Sequence, residues 1–277
     1  MLGLRKLVRE ALAEDVGQAD VTTKSTIPED LRCSVRLLAK QDGVLSGIEA
    51  FRSVFDVLKA RVKQWQARND GAHFSEGDVL AHFEADAAAV LAGERVALNF
   101  LQRLSGVATL THRYVAAVEG LDVRICDTRK TTPLMRTLEK QAVMHGGGVN
   151  HRFALFDGVL IKENHVAAAG GVGEAVRRAI EGTHHLMKIG VEVTTIDELN
   201  EALAAGADSI LLDNMSLDVL AEAVKLTESR KVTLEASGNV TLENVRAIAE
   251  TGVHYISVGA LTHSAPSVDL SLLLENA

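Results

Sequence analysis

The 277-residue chain is poor in several features on which whole classes of protein depend. It has two cysteines, Cys33 and Cys126, far apart in sequence. Two distant thiols build neither a disulfide framework nor a zinc cluster, and the plain expectation is a reducing, cytoplasmic home. Positive charge is not in surplus: the formal net charge is -8, which argues against coating nucleic acid as a main role. No apolar run approaches the roughly 20 residues of a membrane span. The stretch from Met1 to Asp15 reads as an amphipathic helix carrying Arg5, Lys6, Arg9, Glu10 and Glu14, without the apolar centre of a signal peptide. Aromatic residues make up only 4%. What is present is aliphatic. Apolar residues reach 47%, enough for a large core, and the dominance of Ala, Leu and Val suits helices packed on parallel strands. The length allows one large domain or two moderate ones.

Two patterns divide the chain. In the first hundred residues, Val35–Lys40 and Val62–Ala67 look like strands and Gly47–Ala60 like a helix. Asn69-Asp70-Gly71 and Glu76-Gly77-Asp78 are turn sequences that fit a meander. Asp86–Leu110, rich in Ala and Leu, predicts a long helix leading into a second one over roughly Thr111–Glu119. From residue 123 on, apolar runs alternate with amphipathic helical segments. The runs are Val123–Asp127, Val159–Glu163, Met187–Val193, Ser209–Asp213, Val232–Ala236 and Tyr255–Val258. Their spacing fits βα units. Thr195 and Glu198 make a capping box, and Gly206 ends that helix. Six units are too few for a closed eight-stranded barrel. The reading is an incomplete, open α/β barrel, with a doubly wound sheet as the alternative.

Polar residues gather at one end of these runs. Asp127, Arg129 and Lys130 follow the first; Lys162, Glu163 and Asn164 close the second. Glu192 closes the third and Asp213-Asn214 the fourth; Glu235, Ser237 and Gly238 close the fifth, and Gly259 the sixth. In α/β barrels the C-terminal strand ends converge on one active face. Six polar ends in register favour a site over solvated loops.

Charge is also uneven. Between Asp127 and His165, six Lys/Arg (129, 130, 136, 140, 152, 162) face four Asp/Glu (127, 139, 157, 163), a local +2 in a chain of -8. His145, His151 and His165 add to it. Arg129, Lys130, Arg152 and Lys162 thus form a nest of cations for a ligand with several negative charges. Arg grips carboxylate or phosphate in pairs of bonds, and Lys supplies a point charge. The competing account is pairing with nearby acids. It is credible for Arg136 and Lys140, with Glu139 between them, and weaker for Arg129-Lys130, which precede Thr131-Thr132-Pro133 at a strand-to-helix turn where helix N-termini favour anions. Glu192 and Asp213 end neighbouring strands, and could hold ribose hydroxyls or a phosphate-bridging Mg²⁺, or serve as structural acceptors. Ser237-Gly238 and Gly259-Ala260 would let backbone N–H groups approach a phosphate. Gly146-Gly147-Gly148 reads equally as a helix cap or a lid.

At these residues the chain resembles the quinolinate phosphoribosyltransferase family over almost its whole length. The stretches that carry the resemblance are Glu14-Asp15 with Asp20–Thr23, Glu94–Gly106, Asp127–Pro133, Glu139-Lys140, Gly146–Arg152, Leu160–His165, Leu211–Asn214, Glu235–Gly238 and Ser257–Thr262. The resemblance implies an N-terminal open-faced α/β sandwich over 1–105, with 266–277 returning to it, and an incomplete α/β barrel over 106–265. It implies transfer of phosphoribose from phosphoribosyl pyrophosphate (PRPP) to quinolinate with decarboxylation, in a homodimer or a larger assembly of dimers. Arg103, Arg129, His151, Arg152 and Lys162 would line the quinolinate pocket, Arg103 coming from the neighbouring subunit. Lys130, Glu192, Asp213, Ser237, Gly238 and Gly259 would hold PRPP and its Mg²⁺, and Thr131 and Asn239 would also bind substrate. Lys130, Glu192 and Asp213 would be catalytic, and Glu192 and Asp213 would meet the Mg²⁺ that PRPP carries.

The sequence departs from the family pattern at Ala19, where Gly is common, and at Leu134-Met135, which replaces Gly-Leu. Gln141 replaces a Tyr, Gly190 a Glu, and Asn239 a second Gly. A transferase acting on nicotinate or another base is the neighbouring alternative, and Lys162, as a partner for a second carboxylate, favours quinolinate over it. A phosphosugar-binding regulator is the non-enzymatic one; it would need the cations but not Glu192 with Asp213. Arg103 could also pair within its own chain, for instance with Glu94.

Overall fold

A computed structural model of the chain describes residues 2–275. Met1, at the head of the expected first helix, and Asn276 and Ala277, at the end of the expected returning tail, lie outside the described residues. The chain divides into two compact units. One gathers the chain up to His112 with Thr132–Gly147 and the stretch from Ser264 onward. The other consists of Arg113–Thr131 and Gly148–His263.

Alternation builds the first unit. Strand β1 (Arg32–Ala39) buries Cys33, Val35, Leu37 and Ala39 and leaves the residues between them part-exposed, the period of two of a half-buried strand. With it come β2 (Gly43–Val44), β3 (Lys63–Ala67), β4 (His73–Phe74) and β5 (Val79–Asp86). The main sheet runs in the order Leu270–Glu275, β1, β5, β3, with antiparallel neighbours. One face is sealed by the helix Ile48–Val57: Phe51 and Phe55 meet Trp65 and Phe83, with ring centroids 5.1–6.3 Å apart. Burying each such side chain contributes about 1.5–3 kcal/mol. The opposite face carries Ser34, Arg36, His82 and Glu84, so the sandwich is open on that side.

Strand β5, unanticipated from the sequence, is flanked by β1 and β3. It runs without a break into a helix over Ala87–Ala117. That single helix of 31 residues replaces the two that were expected. Nothing at Thr111 interrupts it, because the buried Thr111 hydroxyl donates back to Val107 O at 2.8 Å inside the turn. Gly106 is tolerated mid-helix because the backbone passes close there: a Cβ would lie 2.1 Å from Pro266 O.

The second unit is one parallel sheet. Its strands are β6 (Arg124–Cys126), β7 (Val159–Ile161), β8 (Ile189–Val193), β9 (Ser209–Asp213), β10 (Thr233–Ser237) and β11 (Tyr255–Ser257). The sheet order is β6-β11-β10-β9-β8-β7. From β7 to β11 the sheet grows in one direction, and β6 then joins β11, which is the cyclic order of a barrel. A doubly wound sheet reverses direction at a switch point, so that alternative is excluded. Among the described residues no ladder joins β6 to β7. The free edge of β6 is met instead by Val149, which pairs in parallel with Cys126. The barrel is therefore incomplete, as expected.

Amphipathic helices link these strands. Thr195 caps the helix Ile196–Ala205 by accepting from Glu198 N at 3.2 Å. Glu198 reaches back to Thr194 N at 2.7 Å, one residue beyond the reciprocal partner of an ideal box. Gly206 closes that helix at φ 92°.

Candidate active site

Side chains of a strand alternate between its faces, and in the second unit one set faces a cavity of about 800 Å³. Leu160 precedes Lys162, Leu211 precedes Asp213, Glu235 precedes Ser237 and Ser257 precedes Gly259, each by two residues, and all eight line the cavity. Glu192 of β8 joins them. The intervening residues Ile161, Val191, Val193, Ile210, Leu212, Leu234, Ala236, Ile256 and Val258 are buried. The hydrophobic runs thus supply the core, while every second residue toward the strand ends is released for chemistry.

Four cations line the cavity: Arg129, Lys130, Arg152 and Lys162. Arg152 is tied down by Nη1 donating to Gly158 O at 2.6 Å. Its Nε is buried and has no hydrogen-bond partner. Burial first, then the positive charge of Arg129, presses the Arg152 guanidinium below its ordinary basicity. A buried N–H donor of a cation costs free energy until an acceptor arrives. An anion is the acceptor such a group lacks.

Lys162 sits at the junction of β7 and the helix Glu163–Ala169, and its Nζ lies 2.8 Å from Glu192 Oε2. The expected strand over Val159–Glu163 therefore stops at Ile161, and Glu163 and Asn164 are exposed on the helix. Lys130 is held from both sides: its backbone N donates to Thr128 Oγ1 at 3.0 Å, and its carbonyl accepts from Thr262 Oγ1 at 2.8 Å. A Cβ at Gly259 would lie 3.1 Å from Lys130 Cδ, so glycine there leaves the lysine stem its path. Gly190, on the cavity face two residues before Glu192, leaves bare backbone beside Leu160; a Cβ would stand 3.2 Å from Val159 O.

The acids differ in setting. Glu235 is 7% exposed. Ser257 Oγ donates to its Oε1, and His151 Nε2 lies 3.6 Å from Oε2. Burial raises its pKa, nearby Asp127 adds to this, and Ser257 and Lys162 act against it. The cavity presents four cations to three carboxyls, those of Glu192, Asp213 and Glu235. The balance favours an anionic ligand.

Of the residues read from the sequence as site residues, the cavity brings together Arg129, Lys130, His151, Arg152, Lys162, Glu192, Asp213, Ser237, Gly238, Asn239 and Gly259. Thr131 does not line it. Arg103 belongs to the other unit. Its Nη2 lies 3.0 Å from Glu139 Oε1 and its Nη1 donates to Ala265 O at 2.8 Å; the sequence had suggested Glu94 as the nearby acid. Glu139 is wholly buried and also accepts from Thr132 N at 2.9 Å. Glu139 thus serves Arg103 and Thr132, and the N–H of Thr132 is already occupied. Gly146 belongs to packing: it caps the helix Arg136–His145, and a Cβ there would fall 2.3 Å from Ala108 O. Sequence reasoning did not assign Glu235, Ser257, Asn214 or His263 to the site, yet all four line the cavity. Glu235 and Asn214 stood among the polar strand ends and were visible there. His263 was not, because it comes from a four-residue helix after β11 and no strand periodicity points to it.

The first unit has a hollow of its own, about 610 Å³, lined in part by Leu4, Leu7, Leu104 and Leu138. It is more apolar and has no comparable set of cations.

Comparison with known proteins agrees with this geometry. The family model for the N-terminal domain of quinolinate phosphoribosyl transferase matches residues 20–105. The C-terminal domain model of the same family matches residues 107–273. A probable carboxylating nicotinate-nucleotide pyrophosphorylase of Bacillus subtilis is 44% identical over 98% of this chain and 93% of its own. One from Methanocaldococcus jannaschii is 42% identical over 96% of this chain and 95% of its own. The solved nicotinate-nucleotide pyrophosphorylase of Francisella tularensis superposes with a TM-score of 0.93 at 38% identity, covering 99% of this chain and 96% of that one. The two domain models, in order and nearly end to end, and relatives of matching length leave one conclusion: the chain belongs to the quinolinate phosphoribosyltransferase family.

Proposed function

We propose that the chain transfers the phosphoribosyl group of PRPP to quinolinate and removes its 2-carboxylate, giving nicotinate mononucleotide, CO2 and pyrophosphate in de novo NAD biosynthesis. The observation that carries this reading is the buried, unanswered Nε of Arg152 in a cavity with three further cations. A ring with two carboxylates answers Arg152, Arg129 and Lys162, with His151 beside them. A base with one carboxylate would leave part of this charge unmatched. The relatives' names agree with the substrate.

In this reading PRPP lies across Lys130, Glu192, Asp213, Ser237, Gly238 and Gly259, with Thr131 next in the chain and Asn239 at the rim. The quinolinate nitrogen attacks the sugar C1 and pyrophosphate leaves through an oxocarbenium-like state. Glu192 and Asp213 stabilise the positive sugar, and Lys130 stabilises the departing phosphates. Loss of CO2 leaves an electron pair on ring carbon 2, stabilised by the adjacent cationic nitrogen, and a proton from solvent then takes it up, so no redox or carrier cofactor is required. Among the described residues no three His, Cys, Asp or Glu side chains cluster as metal ligands. Mg²⁺ that arrives on phosphates and keeps its waters needs only one or two carboxylates, so Glu192 and Asp213 fit an ion brought by PRPP. It would neutralise phosphate charge.

The working assembly in this proposal is a two-fold dimer in which Arg103 serves the neighbouring copy's cavity. Two buried cysteines, Cys33 and Cys126, support a reducing compartment such as the cytoplasm. No described helix is long and apolar enough to cross a membrane. Turnover of quinolinate plus PRPP by the purified protein, followed by CO2 release, tests the reaction. Robust use of nicotinate with none of quinolinate would replace the substrate.

A further inference from the structure

A chain of amide hydrogen bonds runs along the C-terminal ends of β9 and β10. Asn214 Nδ2 lies 2.7 Å from Asp213 Oδ2, and Asn239 Nδ2 lies 2.9 Å from Asn214 Oδ1. Asn244 Nδ2 donates to Asn239 O at 3.0 Å, while Asn244 Oδ1 accepts from Thr241 N at 2.8 Å. An ionised carboxylate can only accept. Asn214 must therefore turn its NH2 toward Asp213, which leaves its carbonyl for Asn239. Asn239 must then present its own NH2. Each direction is dictated by the one before, starting from the carboxylate.

The backbone is shaped around this chain. Asn214 and Asn239 both take left-handed conformations, with φ 54° and 49°. Asn tolerates that region better than most residues with a side chain. Asn214 N also donates to Ser237 O at 2.9 Å, tying the two strand ends. Between them Gly238 has φ 95°, and a Cβ on it would stand 2.3 Å from Asn214 Oδ1. The Asn214 amide is thus laid directly against bare glycine backbone. At position 239 a glycine would adopt the same φ without strain. The asparagine is there for its amide.

We infer that Asn239 is a positioning residue which, through the Asn214 amide, fixes the Asp213 carboxylate and commits one of its two oxygens. The other oxygen is left for the sugar or its Mg²⁺, so Asp213 offers the substrate a single, oriented acceptor. Asn239 acts on PRPP without needing to touch it. The inference rests on the proposed reading of Asp213 as a PRPP ligand and adds to it.

The test is a double-mutant cycle on PRPP affinity, measured by calorimetry with Mg²⁺. Asn239→Gly keeps the backbone conformation and removes the amide; Asn214→Ala removes the link to Asp213. Circular dichroism confirms folding of each. Both single variants should bind PRPP about 5- to 10-fold more weakly, the size of one ordinary hydrogen bond lost. Quinolinate affinity should stay within about twofold. The double variant should bind PRPP no worse than Asn214→Ala alone, because the link is already broken. Full additivity would mean that Asn239 reaches PRPP by its own route and would overturn the inference. Unchanged PRPP binding in Asn239→Gly, or equal loss for both substrates, would overturn it too. Wild-type protein that bound PRPP no better than ribose 5-phosphate would instead reject the underlying functional reading, before any variant is compared.

Discussion

His151 faces Glu235, Nε2 to Oε2, across 3.6 Å. The other ring nitrogen, Nδ1, accepts from Arg152 N at 2.7 Å, so in the neutral ring the proton sits on Nε2, toward the acid. The Arg152 N–H thus fixes the ring, with Glu235 on the side that bears the proton.

Burial sets the cost of that arrangement. A carboxyl whose folded pKa is raised is favourable below its unfolded value, ordinarily 4.5, and loses stability for the fold as pH rises through its higher folded value. Glu235→Gln should therefore melt higher than wild type at pH 8 and nearly level with it at pH 4. The same variant should raise the KM for quinolinate several-fold, since His151 loses its acidic partner, and leave that for PRPP unmoved. Melting curves at both pH values decide the point: an offset of equal size at each would refute the burial account.

The two ends of the cavity should separate by mutation. Arg152→Ala removes a charge-assisted carboxylate partner, worth about 1.5–3 kcal/mol, and should weaken quinolinate binding about 10- to 100-fold. PRPP binding should change far less. Asp213→Ala should show the reverse preference. Titration of each variant with each ligand checks this, and equal losses in both variants would dissolve the assignment.

In the proposed reading Mg²⁺ arrives on PRPP and meets Glu192 and Asp213. Excess chelator should abolish turnover, and added Mg²⁺ should restore it. Full activity in chelator would remove Mg²⁺ from the scheme.

Arg103 allows a test by mixing. Arg103→Ala and Arg152→Ala homodimers should each be nearly inactive. After co-refolding in equal amounts, half of the dimers are mixed, and each mixed dimer has one intact site of two. Activity should return to about a quarter of wild type if a two-fold dimer shares its sites. Arg103→Ala also takes a bonded cation from buried Glu139, so it should melt lower, and the mixing is read below that temperature. No recovery, with heterodimers confirmed by mass, would leave Arg103 as a structural partner of Glu139.

Where periodicity was uninterrupted, the fold was legible. Ser209–Asp213 stands as read, and the five other barrel runs became strands with ends shifted by one or two residues. Punctuation decided the failures. Strand β5 passes from Asp86 to Ala87 into a helix with no turn residue between them, so its alternation was lost in the Ala-rich run. Thr111 looked like a boundary, but its hydroxyl is satisfied within the helix. In the site, strand-end residues were visible because position along a strand predicts the face they reach. His263 reaches the cavity from a short helix, and Asn214 acts through another side chain's orientation; neither property is written in spacing.

The close passage of Gly106 by Pro266 has a consequence for anyone shortening the chain. Just beyond that crossing, Leu270–Glu275 pairs with β1 along six positions, from Ala39 opposite Leu270 to Ser34 opposite Glu275. Removing the tail would leave β1 with a bare row of backbone donors and acceptors. An unprotected strand edge recruits the same edge of another molecule. Truncation before Leu270 should therefore yield aggregates, whereas a tag placed after Glu275 leaves all six pairs in place.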